Sequence, residues 1–280
     1  MRKDFSKRRV LLAAFVFTTL FTYSQNKGNL FIIGGGERSP QLMQELVKTA
    51  GLRPTDYIVI LPMATSIPEE SIAYVSAQLS GVCANHIASF NFTKAQANDN
   101  QAWIDSVQNA RLIYITGGDQ NKFMDVVRGT KLYEAMHRAF RNGATISGTS
   151  AGAAVMSQIM ITGEEKDKSD NDSFKEIKTG NAVTSQGMGF VTSAIIDQHF
   201  IIRSRYNRLL SVLSDHPGKK VIGVDESTAI IITGNNIKVV GESQVVVVAR
   251  PKKLRTFSHN KAAFKDARIS LFSPGESFKL

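Results

Sequence analysis

Apolar runs that alternate with amphipathic segments are the feature that most restricts the fold of this 280-residue chain. The runs at residues 29–36 (NLFIIGGG), 56–65 (DYIVILPMAT) and 111–119 (RLIYITGGD) are almost continuously apolar, and a helix-like segment follows each of them. Strands that are apolar on both faces must be covered on both faces, as in a mostly parallel sheet between layers of helices. The pattern therefore predicts a doubly wound α/β fold.

The remainder of the chain adds helices to this pattern and then becomes richer in strands. Residues 163–176 (GEEKDKSDNDSFKE) are charged and rich in turn formers, which predicts a mobile surface loop. Apolar runs return after this loop, and we expect these C-terminal strands to extend the sheet in antiparallel fashion. Helices are predicted at 40–50, 68–79, 101–108, 123–128, 132–141 and 206–213, and further strands at 82–90, 144–147, 193–200, 220–226, 228–233, 237–241 and 243–250.

The first two dozen residues differ in composition from the rest. Basic residues between Arg2 and Arg9 precede the apolar block Val10–Phe21 and a small and polar stretch that ends at Ser24. This is the order of a secretory signal peptide, and the block is too short to span a bilayer comfortably. We expect residues 1–24 to be a cleaved signal peptide, with a membrane anchor as the alternative. Residues 25–280 would then form a single exported domain, periplasmic or secreted, without stable membrane insertion.

Charge and cysteine content exclude several classes of function. Five basic residues and one acidic residue precede residue 25, so the formal net charge of +10 falls to about +6 without this segment. The remaining Lys and Arg residues are mostly scattered among acids, and no nucleic acid partner is expected. The single cysteine, Cys83, excludes an internal disulfide and a cysteine-based metal cluster. Neither a metal nor a cofactor is expected.

The stretch ISGTSAGAAVMS, residues 146–157, contains the candidate nucleophile. Gly148 to Gly152 match G-x-S-x-G, in which a strand turns sharply into a helix and exposes Ser150. Small neighbours allow the close backbone approach in such a turn. The N–H of Ala151 then points toward an oxyanion formed beside the serine. A purely structural turn is the alternative, and the position between a strand and a helix favours the nucleophile.

A serine nucleophile needs a base, which is normally an imidazole oriented by a carboxylate. Among the five histidines, His199 directly follows an apolar run, where the active edge of an α/β sheet would lie. A structural histidine is the alternative. Two sources of carboxylate compete: Glu226 follows another apolar run, and a group of acids lies between Glu164 and Glu176. A strand end orients a base more rigidly than a loop does, so we select Glu226.

Two further segments predict binding groups. Gly117 and Gly118 follow a strand, and one of them, Gly118 in our assignment, is predicted to supply a second oxyanion donor. A phosphate-binding loop is less favoured, because the G-x-G-x-x-G spacing and the P-loop lysine are missing.

Arginines at 203, 205 and 208 lie at the predicted positive end of a helix, which is unfavourable without anions nearby. Three guanidinium groups close to His199 suit carboxylate recognition, with a solvated surface as the alternative.

Together these motifs resemble the cyanophycinases and their relatives the aspartyl dipeptidases, which are serine peptidases. Their fold is similar to that of the class I glutamine amidotransferases, a flavodoxin-like arrangement. The matching segments cover nearly the whole chain after residue 24: GGDQ (117–120), GTSAGA (148–153), DQHF (197–200) followed by RSRYNR (203–208), and GVDESTA (223–229).

The resemblance implies a serine nucleophile, Ser150, a general base, His199, and a third triad member, Glu226. Cyanophycinases cleave a polymer with a polyaspartate backbone and an arginine on each side chain, and they release β-aspartyl-arginine. The arginines would then bind aspartate carboxylates, and Asp197 would meet a substrate guanidinium. The residues implied to line the substrate pocket are Gln120, Asp197, Gln198, Arg203, Arg205 and Arg208.

Several functions therefore remain open from the sequence. The leading hypothesis is an exported cyanophycinase-like exopeptidase, and the second is an aspartyl or isoaspartyl dipeptidase of the same family. A lipase-like esterase is disfavoured by the arginine-rich pocket, and a catalytically silent anion-binding module is the alternative from a different class. The resemblance also implies a homodimer.

Overall fold

The computed structural model describes residues 27–167 and 174–280. The predicted signal peptide, residues 1–24, lies outside the described residues, and so does the middle of the charged segment, residues 168–173. Within the described ranges, every helix is too short or too polar to cross a membrane.

Helices and strands alternate up to residue 154, and strands dominate afterwards. The first half contains β1 (Leu30–Ile33), α1 (Pro40–Ala50), β2 (Tyr57–Leu61), α2 (Pro68–Ser80), β3 (His86–Ser89), α3 (Gln96–Asp99), α4 (Gln101–Asn109), β4 (Leu112–Ile115), α5 (Gln120–Val127), α6 (Lys131–Arg141), β5 (Thr145–Thr149) and α7 (Ala151–Ala154). The second half contains β6 (Ile159–Glu165), β7 (Ala182–Gln186), β8 (Ala194–Gln198), α8 (Tyr206–Asp215), β9 (Lys220–Val224), β10 (Thr228–Thr233), β11 (Asn236–Gly241), β12 (Val245–Ala249), β13 (Lys252–Thr256), a 3₁₀ turn (Ser258–Asn260), β14 (Ala262–Lys265), β15 (Arg268–Phe272) and β16 (Ser277–Lys279).

The main sheet has eight strands in the order β16-β11-β10-β1-β5-β4-β2-β3. Strands β1, β5, β4, β2 and β3 run parallel, whereas β10, β11 and β16 continue the sheet in antiparallel fashion beyond β1. The predicted α/β fold with a mostly parallel sheet is confirmed. Antiparallel extension by C-terminal strands is also present.

Burial on both faces explains why the parallel strands are apolar throughout. In β1, Phe31 and Ile33 pack with residues of α1 and α2, whereas Leu30 and Ile32 belong to the core on the opposite face, which includes α4, α6 and α7. Because alternate residues of a strand point to opposite faces, a strand covered on both sides has no polar face. Helices therefore cover both faces of this sheet, as predicted.

Four C-terminal strands form a second sheet, which the sequence did not predict. Its order is β15-β12-β9-β8, with β8 and β9 parallel. In β9, Ile222 and Val224 pack in the main core, whereas Val221 packs with Leu209 and Val212 of α8. The expectation that all the late strands extend one sheet is therefore wrong for β8, β9 and β12. Side chains on one face of these strands pack in the main core, and those on the other face pack with α8, so the strands form a layer between the two.

The charged segment that begins at residue 163 contacts the rest of the fold at both of its described ends. It begins inside β6, which pairs with β7 in an antiparallel ladder. Glu165 is buried, and its two carboxylate oxygens accept hydrogen bonds from the Phe174 N–H and the Asn181 side chain, each at 2.9 Å. The prediction of a loop is therefore wrong for residues 163–165, which belong to β6, and Glu165 is buried because two donors satisfy its carboxylate, whereas Gly163, Glu164, Lys166 and Asp167 are exposed as predicted.

Candidate active site

Ser150 lies at a strained turn between β5 and α7. Its backbone φ is 52° and its ψ is −110°, values that L-residues rarely adopt. A Cβ on Gly148 would lie 2.2 Å from the carbonyl oxygen of Gly152, and a Cβ on Gly152 would lie 2.4 Å from that of Ile115. Neither position has room for a larger residue. The sharp turn predicted from G-x-S-x-G is therefore present, although the helix that follows Ser150 is only one turn long.

His199 contacts both Ser150 and Glu226. Its Nε2 lies 2.7 Å from Ser150 Oγ, and its Nδ1 lies 2.5 Å from Glu226 Oε1. A carboxylate oxygen accepts, so the ring proton of the neutral imidazole lies on Nδ1 and Nε2 is left to accept the serine hydroxyl proton. The backbone N–H of His199 donates to Gly34 O at 2.7 Å, which ties the base to the end of β1. This arrangement is suited to removing a proton from Ser150.

Glu226 lies in the link between the two sheets. It follows β9 of the second sheet and precedes β10 of the main sheet. Two acids of the charged segment are engaged elsewhere: Glu176 forms ion pairs with Lys178 at 3.2 Å and Lys261 at 2.8 Å, and Glu165 is buried as described above. The structure therefore brings Glu226, and not these two acids, to His199.

The glycine loop after β1 makes room for this pair, a role that the sequence did not predict. A Cβ on Gly35 would lie 2.2 Å from the His199 ring, and a Cβ on Gly36 would lie 2.7 Å from the Glu226 side chain. Both glycines have positive φ, at 110° and 72°. A triple glycine directly after a buried strand was the available signal, and it is equally typical of an ordinary turn.

Burial controls the protonation of His199. Desolvation lowers its pKa below the ordinary value of 6.5, and the nearby Arg203 and Arg205 charges act in the same direction. The hydrogen bond to Glu226 opposes them. Because the pKa is lowered, the imidazole stays neutral at neutral pH and is able to act as a base.

The predicted oxyanion donors lie beside Ser150. Ala151 opens α7, so its N–H has no acceptor inside that helix. Gly118 lines the same cavity as Ser150, and its φ of 133° is a conformation that glycine tolerates. A Cβ on Gly117 would lie 3.3 Å from the Ser150 Cβ, so this loop passes close to Ser150. Both Gly118 and Ala151 are thus within the site, and their roles stay predictions.

A cavity of about 520 Å³ opens beside Ser150 and His199. Gln120 is held at its wall by a hydrogen bond from Nε2 to Ile161 O at 3.0 Å. Glu164 and Asp119 also line it, and they are acids that the sequence did not assign to the pocket. Five of the six residues predicted to bind substrate line this cavity: Gln120, Gln198, Arg203, Arg205 and Arg208.

Asp197 is the sixth, and the structure places it behind the cavity wall. It is 1% exposed, and its Oδ2 accepts a hydrogen bond from Arg208 Nε at 3.0 Å. Its other oxygen, Oδ1, accepts from Arg208 Nη2 and from the N–H of Gln198. The predicted direct contact of Asp197 with a substrate guanidinium is therefore corrected: this carboxylate is already occupied by Arg208.

The three arginines are not equivalent. The Arg208 side chain is 7% exposed and pairs with Asp197, which supplies the anion that a cation in the first turn of α8 requires. Arg205 donates to the carbonyl and side-chain oxygens of Gln198, and burial together with the Arg208 charge lowers the pKa of Arg205 to about 10. Arg203 is 54% exposed and lies 3.8 Å from Glu226. It is the arginine most available to a ligand.

Asp225 is a positioning residue that the sequence did not single out. Its Oδ1 accepts the N–H groups of Ile201 and Ile202, each at 3.0 Å, and its Oδ2 accepts the Ser243 hydroxyl at 2.6 Å. These bonds fix the turn that follows His199. Two consecutive acids after an apolar run were the available signal. Within the described ranges, no group of three His, Cys, Asp or Glu side chains is arranged to hold a metal ion.

Comparison with known proteins connects this geometry to a family. The sequence pattern of peptidase family S51 matches residues 30–240. A cyanophycinase of Geminocystis herdmanii (strain PCC 6308) is 31% identical over 247 residues, which cover 86% of this chain and 87% of the relative. A cyanophycinase of Trichormus variabilis (strain ATCC 29413 / PCC 7937) is 27% identical over 269 residues, which cover 92% and 88% of the two chains.

Solved structures share the fold. The crystal structure of a peptidase from an acI-B1 Actinobacterium has a TM-score of 0.67 at 19% identity, with 92% of this chain and 98% of that chain covered. A putative peptidase E from Listeria monocytogenes EGD-e has a TM-score of 0.53 at 16% identity, with coverage of 78% and 100%. At these identities the two structures bear on the architecture alone.

Proposed function

Because the chain belongs to peptidase family S51 and is a serine-type peptidase, we propose that it is an exported cyanophycinase-like exopeptidase that uses a Ser-His-Glu triad. The single observation that carries this proposal is the continuous set of contacts from Ser150 through His199 to Glu226. Peptidase chemistry is favoured over the esterase and the silent anion-binding module by membership of the family.

The proposed mechanism is acyl transfer. His199 takes the hydroxyl proton as Ser150 attacks the amide carbonyl, and Glu226 stabilises the imidazolium that forms. The N–H groups of Ala151 and Gly118 stabilise the oxyanion. His199 then gives its proton to the leaving amine. Water, deprotonated by the same histidine, hydrolyses the acyl-enzyme and releases a β-aspartyl-arginine dipeptide.

The cavity has both basic and acidic side chains in its wall, which favours a substrate that carries a negative and a positive group. Each unit of cyanophycin has a free carboxylate and a guanidinium. Arg203, exposed at the cavity wall, supports binding of the carboxylate. Asp197 is paired internally, so the exposed Glu164 is the better partner for the guanidinium. The name cyanophycinase of the similar proteins points to the same polymer.

Product analysis tests this function. The purified protein is incubated with insoluble cyanophycin and, separately, with a panel of aspartyl and isoaspartyl dipeptides. We expect release of β-aspartyl-arginine from the polymer. Ser150→Ala should lower kcat by about 10,000-fold or more because the nucleophile is lost. Ser80→Ala, an exposed serine at the end of α2, is the matched control and should leave the rate unchanged. A Ser150→Ala variant with normal turnover would exclude the triad.

A dipeptidase for aspartyl or isoaspartyl peptides is the second candidate function. It is supported by the exposed Arg203, which suits the carboxylate of a short acidic peptide as well as that of a polymer unit. Cleavage of dipeptides without any soluble product from the polymer would favour it over the cyanophycinase.

Export is a separate part of the proposal. It is supported by the order of basic, apolar and small residues before Ser24. Expression of the full chain in a bacterial host, followed by cell fractionation and N-terminal sequencing, measures it. A protein that keeps residue 2 and stays with the cytoplasmic fraction would contradict export without affecting the peptidase assignment.

A further inference from the structure

A second cavity, of about 270 Å³, opens on the other side of Ser150. The substrate cavity described above extends toward α8, whereas this one extends toward α2 and includes Tyr74 and Ser71 of that helix. Ser150 and Gly118 line both cavities. A nucleophile with a cavity on each side is placed to act on a bond whose two halves occupy different cavities. We call this second one the α2 cavity.

Arg38 is the charged group of the α2 cavity. Its Nε donates to Gln78 Oε1 at 2.9 Å, and Gln78 Nε2 donates back to Arg38 O at 3.2 Å. The guanidinium carbon also lies 5.0 Å from the centroid of the Tyr74 ring. These contacts hold the side chain in place and leave its two terminal nitrogens for another acceptor.

No ion pair with another described residue balances the charge of Arg38. Over the described ranges no acidic side chain forms an ion pair with Arg38, and no carboxylate lines the α2 cavity. A fixed guanidinium with free donors and no ion-pair partner favours an anionic ligand, above all a carboxylate, whose planar geometry it matches.

The α2 cavity also has hydroxyl groups in its wall. Thr116, 2% exposed, lines the cavity, and its buried hydroxyl has no hydrogen-bond partner among the described residues. The buried hydroxyl of Thr149, which lines the same cavity, also has no partner among the described residues. Thr65 and Ser71 add further hydroxyl-bearing side chains to the same wall. This is a polar lining for a polar, hydrogen-bonding ligand.

We propose that the α2 cavity binds the substrate residue on the far side of the scissile bond, with Arg38 receiving the carboxylate of that residue. The inference rests on the proposed function, since it assumes that Ser150 cleaves a peptide of aspartyl units. On cyanophycin this carboxylate is the free one on the arginine of the unit that adjoins the cleaved bond. Arg203 and Arg38 would then recognise carboxylates on opposite sides of the reacting carbonyl.

Binding to an inactive enzyme tests the inference without turnover. Ser150→Ala protein is titrated with a synthetic trimer of β-aspartyl-arginine, and with three analogues in which the arginine carboxylate of one unit is a carboxamide. In one of the three analogues, the carboxamide replaces the carboxylate that contacts Arg38, and we expect this analogue to bind about tenfold more weakly than the parent trimer. Adding Arg38→Gln should weaken binding of the parent trimer by a similar factor and remove the penalty for that analogue alone. Arg141→Gln, an exposed arginine on α6, is the matched control.

The outcomes separate this inference from the proposed function. The role of Arg38 would be overturned if Arg38→Gln left the affinity for the trimer unchanged, or if it lowered the affinities for all four ligands equally. A trimer that does not bind to the Ser150→Ala protein would overturn it too. Arg38→Lys, which keeps the charge, should retain part of the affinity, and thermal unfolding confirms that each variant is folded. If the unmutated enzyme releases no dipeptide from cyanophycin but Arg38 still selects the carboxylate, the proposed function fails and the α2 cavity stands.

Discussion

Ser150 lies where the carboxyl ends of strands in the eight-stranded sheet meet those in the four-stranded sheet. These two ends, called here the main-sheet edge and the second-sheet edge, contribute different kinds of residue. The main-sheet edge consists of glycine-rich loops after β1, β4 and β5, and it contributes the proposed nucleophile Ser150 and the backbone N–H groups of the proposed oxyanion site. The second-sheet edge supplies charged and titratable side chains after β8 and β9, including His199, Asp225 and Glu226. One edge determines the shape of the site, and the other determines its protonation.

Mutations at the two edges should therefore lower activity for different reasons. At the main-sheet edge, added atoms collide with backbone, as at Gly148 and Gly152. At the second-sheet edge, replacement of Glu226 by an isosteric amide keeps the shape but removes the negative charge next to His199. Mutations that alter shape without charge, and charge without shape, test this division directly.

Among the variants that compare the two edges, Glu226→Gln at the second-sheet edge is expected to have the largest effect. The amide keeps the size of the side chain but removes the charge that stabilises the imidazolium and orients the His199 ring. We expect kcat to fall by about 1,000- to 10,000-fold. The Glu226 hydrogen bond also raises the His199 pKa, so its loss should move the acid limb of kcat/KM to lower pH. Steady-state kinetics across pH on an aspartyl substrate measure both changes.

Glu176→Gln is the matched control for this experiment. Glu176 pairs with Lys178 and Lys261 at the surface, so its loss should change kcat little. Loss of turnover in Glu176→Gln with normal turnover in Glu226→Gln would assign the orienting acid to the charged segment instead.

A smaller effect is expected at the main-sheet edge, from Gly148→Ala. The new Cβ would lie 2.2 Å from Gly152 O, so the turn that presents Ser150 must move. Displacement of a nucleophile by about 1 Å costs on the order of 100-fold in rate, and the pH profile should keep its position because no charge changes. Gly218→Ala is the control, because a Cβ there meets nothing within 4 Å. A Gly148→Ala enzyme of normal activity would show that the edge tolerates added atoms.

Sequence reasoning worked best where one local motif fixes a position. The turn at Ser150 follows from small residues between an apolar run and a helix, and His199 and Glu226 each follow an apolar run closely. Strand ends gather at sheet edges, so proximity of these residues could be expected. The helix Pro40–Ala50 has the predicted bounds, and the structure shows local signals at both ends: Ser39 caps its start, Pro40 occupies its first turn, and Gly51 ends it with a φ of 58°.

Long-range partners could not be predicted in this way. An apolar run does not specify which sheet it joins, so β8 and β9 were expected in the main sheet although they form another layer. Asp197 and Arg208 pair across a strand end and a helix, and nothing in their spacing shows that the two charges satisfy each other. Glu165 was predicted at the surface because its neighbours are charged, whereas two specific donors keep it buried.

The smallest effect, and the finest test of the division between the edges, comes from Arg203→Gln. The Arg203 charge lowers the His199 pKa, so its removal should raise that pKa and move the acid limb of kcat/KM to higher pH. This is the opposite direction to Glu226→Gln, and the loss of rate at acid pH should be only a few-fold because Arg203 is exposed and screened by solvent.

Arg203 also lines the cavity, so the plateau of kcat/KM reports lost substrate contacts, whereas the position of the limb reports His199 in the free enzyme. Arg141→Gln should move neither. If Arg203→Gln lowers the plateau but leaves the limb in place, Arg203 acts on the substrate alone and protonation at the second-sheet edge is set by burial and Glu226.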